Sequence, residues 1–240
     1  MNAEILRFET EADLYPNLTL RLELEIKSIL EKGRSPVLAL PTGNTMIPFY
    51  RLARERPEAL QVSTWKCFQL DEYFPLTAET EHLSFRSYLE EHFYSKLKTL
   101  PLLRESPNGL APDANLECSR YERKLKDEGG IDLAILGIGV NGHIAFNEPG
   151  APFDSRTRAI ALHAETLRSN FKSGPAIPHA MTMGIGTLLE AKKIWIIAVS
   201  TTKREAVRKA MYEPPAVEVP ASALQLHPSV TWFLDSGAHG

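Results

Sequence analysis

The sequence predicts a single-domain, doubly wound α/β fold, a mostly parallel sheet with helices on both faces. Three observations predict it. Short β-rich runs recur, each followed by a segment of helical periodicity, the alternation that parallel strands and crossover helices produce. With 240 residues, 43% hydrophobic and 24% charged, the chain can enclose a sizeable core as one compact unit. Finally, no internal repeat, low-complexity tract or linker divides residues 1–240.

The strands are expected in "AEILRF", "SPVLAL", "WKCFQL", "IDLAILGIG", "KIWIIAVS" and "SVTWFLD". The clearest helix has Phe85, Tyr88, Leu89, Phe93 and Leu97 along one stripe, and another runs from Ala114 to Asp127. The proline-bearing stretches near 105–113 and 213–221 read as surface loops.

Charge and composition exclude several function classes. The net charge of −3, from 27 basic and 30 acidic residues, gives no excess that would draw the chain to nucleic acid or anionic lipid. The N-terminal residues are acidic where a signal peptide needs basic ones, and no apolar run is long enough to span a bilayer, so a cytoplasmic location is expected. Cys67 and Cys118 are too few for a disulfide framework and lack metal-ligand spacing. Cys67 sits in an apolar segment, where a thiol is usually core packing.

In an open parallel sheet, ligands gather at the carboxyl ends of the strands. Four segments lie there. In "LPTGNT", Thr42, Gly43, Asn44 and Thr45 turn into a helix beginning near Met46, and free amides with the helix dipole suit an anion; a capped strand-to-helix turn is the plain alternative. No lysine follows the glycine as a Walker loop requires. In "QLDEYF", Asp71 and Glu72 follow a buried strand, and a desolvated carboxylate can abstract a proton from carbon; a solvated acidic loop is the alternative. Lys203 in "TTK" suits a phosphate or solvent equally.

The fourth segment, "GIGVNGHIAFNEPG", spaces Gly137, Gly139 and Gly142 like a dinucleotide fingerprint. Here the glycines lead into Pro149 and Pro152 rather than a helix, and "SRTR" stands where the acidic ribose ligand belongs, so the fold is Rossmann-like without dinucleotide binding. His143 and Glu148 alone make no metal site. They suit an acid–base pair, a carboxylate orienting an imidazole with Asn141 adding a hydrogen bond, or else a structural histidine in a loop. Anion cradle, carboxylate, histidine relay and cation at one edge are complementary in a way that no single segment is.

"LPTGNT", "LDEY", "LGIGVNGHIAFNEPG", "GIGTLL" and "PASALQLHP", in that order, resemble the motifs of the glucosamine-6-phosphate deaminases, relatives of the 6-phosphogluconolactonases. The resemblance runs from about residue 36 to 235, and "NGHIAFNEP" is its most specific part. It implies a metal-free, cofactor-free aldose–ketose isomerisation coupled to deamination of an amino-sugar phosphate. By position, His143 would open the sugar ring with Glu148 and Asn141, and Asp71 would move a proton from C2 to C1. Thr42, Gly43, Asn44, Thr45 and Lys203 match the phosphate and sugar contacts. The implied partner is the small-molecule substrate alone, with a monomer or small homo-oligomer as the assembly.

Three departures from the family stand out. Asn141 replaces an aspartate found in some members. The implied lid near 160–178 is shortened at "LRSNFKSGPAIPHAM", leaving Lys172 or Arg168 to substitute for the usual lid arginine. Ala151 and Ile160 replace polar and basic residues of allosterically activated members, with only Arg158 matching, so simple kinetics are expected. Two rival readings are a 6-phosphogluconolactonase-like hydrolase and a sugar-phosphate sensor without turnover. Lactone hydrolysis needs no carbon-proton base, which sets Asp71 against the first; a sensor would tolerate loss of His143, which makes the second testable.

Overall fold

A computed structural model of the chain describes residues 3–162, 167, 171 and 176–240. Its ten strands are β1 (Glu4–Phe8), β2 (Val37–Leu40), β3 (Lys66–Gln69), β4 (Asp71–Phe74), β5 (Leu103–Glu105), β6 (Leu133–Gly137), β7 (Arg158–Ala161), β8 (His179–Thr182), β9 (Lys193–Ala198) and β10 (Val230–Asp235). Seven form a parallel sheet in the order β1-β10-β9-β6-β2-β3-β5, and β4-β8-β7 form a small antiparallel one.

The main sheet is parallel because its strands are apolar on both faces. Along β2, β6 and β9, alternate residues serve two cores: Leu38, Leu133, Ile135, Trp195 and Ile197 face one, Ala39, Ala134, Leu136, Ile194 and Ile196 the other. The first core is covered by α1 (Glu11–Leu30), α2 (Ile47–Glu55) and α3 (Phe85–His92). The second is covered by α4 (Ala114–Asp127), α5 (Ile185–Leu189), α6 (Arg204–Tyr212) and the short C-terminal α7 (Ser236–His239). Helix starts follow their capping residues: Thr10 accepts from Asp13 N, Ser84 from Ser87 N, and Asp113 from Asn115 N and Leu116 N.

All six expected strands form, and Ala114–Asp127 is helical as expected. The structure differs elsewhere. The stripe from Phe85 breaks at His92 into a tighter turn over Tyr94–Lys96 instead of continuing to Leu97. The loop expected near 105–113 begins only after the edge strand β5, and Pro220–Leu226 forms 3₁₀ turns. "DEYF" is a strand rather than a loop: after Leu70 the chain leaves the main sheet and pairs with β8 in the small one. Strands β7 and β8 flank the expected lid, whose Lys172 and Arg168 lie outside the described residues.

Topology locates the crevice. From β2 the chain proceeds through β3 to β5 on one side, then returns to β6 on the other side of β2 and continues to β9 and β10. The strand order therefore reverses between β2 and β6, where loops from the carboxyl ends diverge and leave room for a ligand.

Candidate active site

The four segments singled out above follow β2, β3, β6 and β9, which are four consecutive strands of the sheet. Segments 41–45 and 138–150 flank the switch point, Asp71 begins one strand beyond β2, and Lys203 follows β9, two strands or about 10 Å from β2.

The β2 turn passes through Gly43 at φ +97°, a conformation open to glycine, into a 3₁₀ turn over Asn44–Met46 and then α2. Among the described residues, no hydrogen-bond partner takes up the N–H groups of Thr42, Gly43, Asn44 or Thr45, nor the side chains of Thr42, Asn44 and Thr45. The turn after β9 is built alike. Ser200, at φ +82°, enters a 3₁₀ turn over Thr201–Lys203 that leads into α6. Asp235, at the end of β10, holds this strained residue by accepting its N–H at 3.0 and 3.1 Å. Partial burial lowers the Lys203 pKa from its usual value.

The β6 segment gathers the acid–base candidates. Asn141 Nδ2 donates to Glu148 Oε2 at 2.7 Å, and Asn141 Oδ1 accepts the His143 N–H at 3.2 Å. His143 Nδ1 lies 3.3 Å from Glu148 Oε1, an ion-pair distance without the alignment of a hydrogen bond. Such pairs commonly tighten only when substrate arrives. Gly139 lies against the imidazole: a Cβ there would come to 2.5 Å from the ring, so any side chain would push the imidazole from this position. Gly142, at φ +85°, and Ala145, at φ +49°, supply the left-handed bends that fold the loop back.

The small sheet holds this loop from outside. Thr182 Oγ1 accepts from Phe146 N at 3.1 Å. The fully buried Asn147 donates to Ile144 O and Met183 O, while its Oδ1 accepts from Arg158 at 2.9 Å. Thr182 is also the cross-strand partner of Asp71, so one strand supports both the carboxylate and the histidine loop. Sequence reasoning missed this buttress: Arg158 was singled out only as an effector-site match, and its pairing with Asn147 spans eleven residues and a sheet that the pattern does not show.

Asp71 is buried, and desolvation, followed by the charge of Glu72, pushes its carboxyl up to about 8. Glu72 points the other way. It accepts the N–H groups of Tyr73, Phe85 and Arg86 at 2.8–2.9 Å, so it caps the first turn of α3. The pleat of β4 thus turns one of two adjacent carboxyls to the start of α3 and the other to the opposite face, and burial raises both. Two surface cavities of about 440 and 560 Å³ lie around α4 instead, but Arg156 in both is already paired with Glu122 and Glu190.

Fold and site define a doubly wound α/β protein with an imidazole–carboxylate pair and a turn of unpartnered amides at its switch point. Residues 9–232 match the family described as glucosamine-6-phosphate isomerases/6-phosphogluconolactonase, and the chain belongs to that family. It is 42% identical over 220 residues to glucosamine-6-phosphate deaminase 2 of Giardia intestinalis, covering 89% of this chain and 83% of that protein. It is 37% identical over 232 residues to the glucosamine-6-phosphate deaminase of Bacillus velezensis, covering 94% and 96%. Among solved structures, a monomeric glucosamine-6-phosphate deaminase superposes with a TM-score of 0.87 at 35% identity over 98% of both chains. A 6-phosphogluconolactonase of Thermotoga maritima shares the fold, with a TM-score of 0.77 at 19% identity over 98% of this chain and 100% of that one.

Proposed function

We propose that the protein is a glucosamine-6-phosphate deaminase, converting glucosamine 6-phosphate and water into fructose 6-phosphate and ammonia. The observation that carries this reading is the buried, protonatable Asp71, paired across strands with Thr182 of β8, the residue that also holds the loop of the Asn141–Glu148–His143 cluster.

The chemistry requires two separate acid–base groups. The closed sugar has no free carbonyl, so its C2 proton stays insufficiently acidic until the ring opens. His143 takes the proton of the anomeric hydroxyl and returns one to the ring oxygen, with Glu148 stabilising the imidazolium and Asn141 fixing Glu148. Asp71 then removes the C2 proton and delivers it to C1 through the enolamine. Water adds at the resulting C2 imine carbon and ammonia departs, so atoms balance without a redox step. The amides of 42–45 and Lys203 hold the phosphate, orienting carbons remote from it. Lys172 and Arg168 belong to the same reading as phosphate contacts from the lid.

A lactonase shares the cradle and the histidine but has no carbon-bound proton to move, which leaves Asp71 without a task. The reading extends to a monomeric cytoplasmic enzyme that needs no metal or cofactor. No helix among the described residues is long and apolar enough to cross a membrane. The test is release of ammonia and fructose 6-phosphate from glucosamine 6-phosphate, with Asp71→Asn alongside. Equal amounts of both products from wild type, and none from a variant that still binds the sugar phosphate, are expected. Turnover of 6-phosphogluconolactone without ammonia release, or saturable binding without turnover, would select one of the rivals.

A further inference from the structure

Three tyrosines from three helices converge on alternate carbonyls of one turn. Tyr50 of α2 donates its hydroxyl to Pro41 O at 2.5 Å, Tyr88 of α3 donates to Gly43 O at 2.8 Å, and Tyr15 of α1 donates to Thr45 O. We propose that Tyr15, Tyr50 and Tyr88 are positioning residues for the anion-binding turn, holding its carbonyls back so that its amides face the crevice. The proposal rests on the reading that this turn takes the substrate phosphate.

The argument follows from peptide geometry. The C=O of one residue and the N–H of the next lie in one plane and point in opposite directions. Tying Pro41 O into the protein therefore turns the Thr42 N–H outward, and tying Gly43 O does the same for Asn44. The third peptide closes the turn: Thr45 O is held by Tyr15 while its partner N–H, that of Met46, donates to Gly43 O at 2.9 Å. A Cβ on Gly43 would meet nothing within 4 Å, so the outer side of the turn is open. A carbonyl swung into that space would repel an anion, and three hydroxyl donors oppose it at every second residue.

The hydroxyls are suited to this task. Burial, as the first cause in each case, raises all three pKa values above the usual tyrosine range, so each remains a donor at neutral pH. The rings also pack: Tyr50 meets Tyr88 edge to face at 6.4 Å. Loss of one hydroxyl leaves the ring packing in place while freeing the carbonyl.

Tyr88→Phe and Tyr15→Phe, singly and together, are compared with wild type in three assays: steady-state deamination of glucosamine 6-phosphate, competitive inhibition by inorganic phosphate, and calorimetric titration with inorganic phosphate. Thermal midpoints are recorded in parallel. Each lost hydroxyl is expected to raise KM and both phosphate constants together, about 2- to 10-fold, with kcat changing less than KM. Tyr212→Phe, at an exposed ring on α6, should change none of them. Wild-type turnover with KM and phosphate constants unchanged in the double variant would overturn the proposal and leave the enzyme reading intact. A lowered thermal midpoint with unchanged constants would overturn it equally, assigning the hydroxyls to stability alone. A wild-type protein that neither deaminates the sugar phosphate nor binds inorganic phosphate would overturn both.

Discussion

At the scale of the residue, Asp71 and Glu72 show how far environment separates identical chemistry. Burial raises both carboxyls; at Glu72 three backbone amides oppose the rise, whereas at Asp71 desolvation, followed by the Glu72 charge, pushes the carboxyl up to about 8. In the free protein the base form of Asp71 grows as pH rises, so kcat/KM for deamination should climb through the region near pH 8 and lose that limb in Asp71→Asn, with kcat down by about 10²–10⁴-fold. The sign for stability is opposite. The folded carboxyl titrates near 8 against about 3.9 unfolded, so between those values the native state keeps a proton that the unfolded chain has released. The contribution of this group to stability is therefore lost as pH rises through that window. Asp71→Asn should raise the thermal midpoint at pH 8 relative to wild type and leave it little changed near pH 4; scanning calorimetry at both pH values checks this. A gain in stability with loss of activity distinguishes a group held for chemistry from one held for the fold.

At the scale of the element, the parallel strands were legible because burial on both faces makes them continuous apolar runs, as in "VLAL" and "KIWIIA". The small sheet was not. "DEYF", "RAIA" and "HAMT" mix polar and apolar residues over four positions, and the pairing of β4 with β8 joins segments about a hundred residues apart. The catalytic candidates could be read from "NGHIAFNEP" and its place after a strand, but what supports them is long-range. Asn147 shows the consequence: it joins Ile144 O, Met183 O and Arg158 in a fully buried position. Asn147→Ala strands these groups, at about 1–3 kcal/mol for a buried unpaired polar group. Thermal unfolding should register a drop of several degrees, and steady-state assays a kcat about 10- to 100-fold lower as the His143 loop loosens. Asn147→Asp, which keeps the oxygen facing Arg158 but loses both amide donors, should recover only part of this.

At the scale of the whole molecule, the expectation of simple kinetics gains a structural reason. Arg158, the one residue matching the effector-site pattern, donates to Asn147, and the other two positions of that pattern carry the buried Ala151 and the apolar Ile160. Rate against glucosamine 6-phosphate should be hyperbolic, and N-acetylglucosamine 6-phosphate should leave its shape unaltered; a sigmoidal curve relieved by that sugar would contradict this. The order of strands could not be read from the sequence, since periodicity says which segments are strands but not which are neighbours. Yet the switch point between β2 and β6 follows from that order alone, and it is what brings segments a hundred residues apart to one crevice.

The chain's change of sheet at Leu70 has a further consequence. Side chains along a strand alternate in phase, and β4 begins immediately after the transfer, so the parity of the count decides which carboxyl meets α3 and which lies on the opposite face. One residue inserted between Leu70 and Asp71 and absorbed into β4, so that Asp71 takes the pairing position of Glu72, would turn Asp71 toward α3 and Glu72 away from it. Length is accordingly a harder constraint here than composition: a two-residue insertion restores the phase, a one-residue insertion cannot.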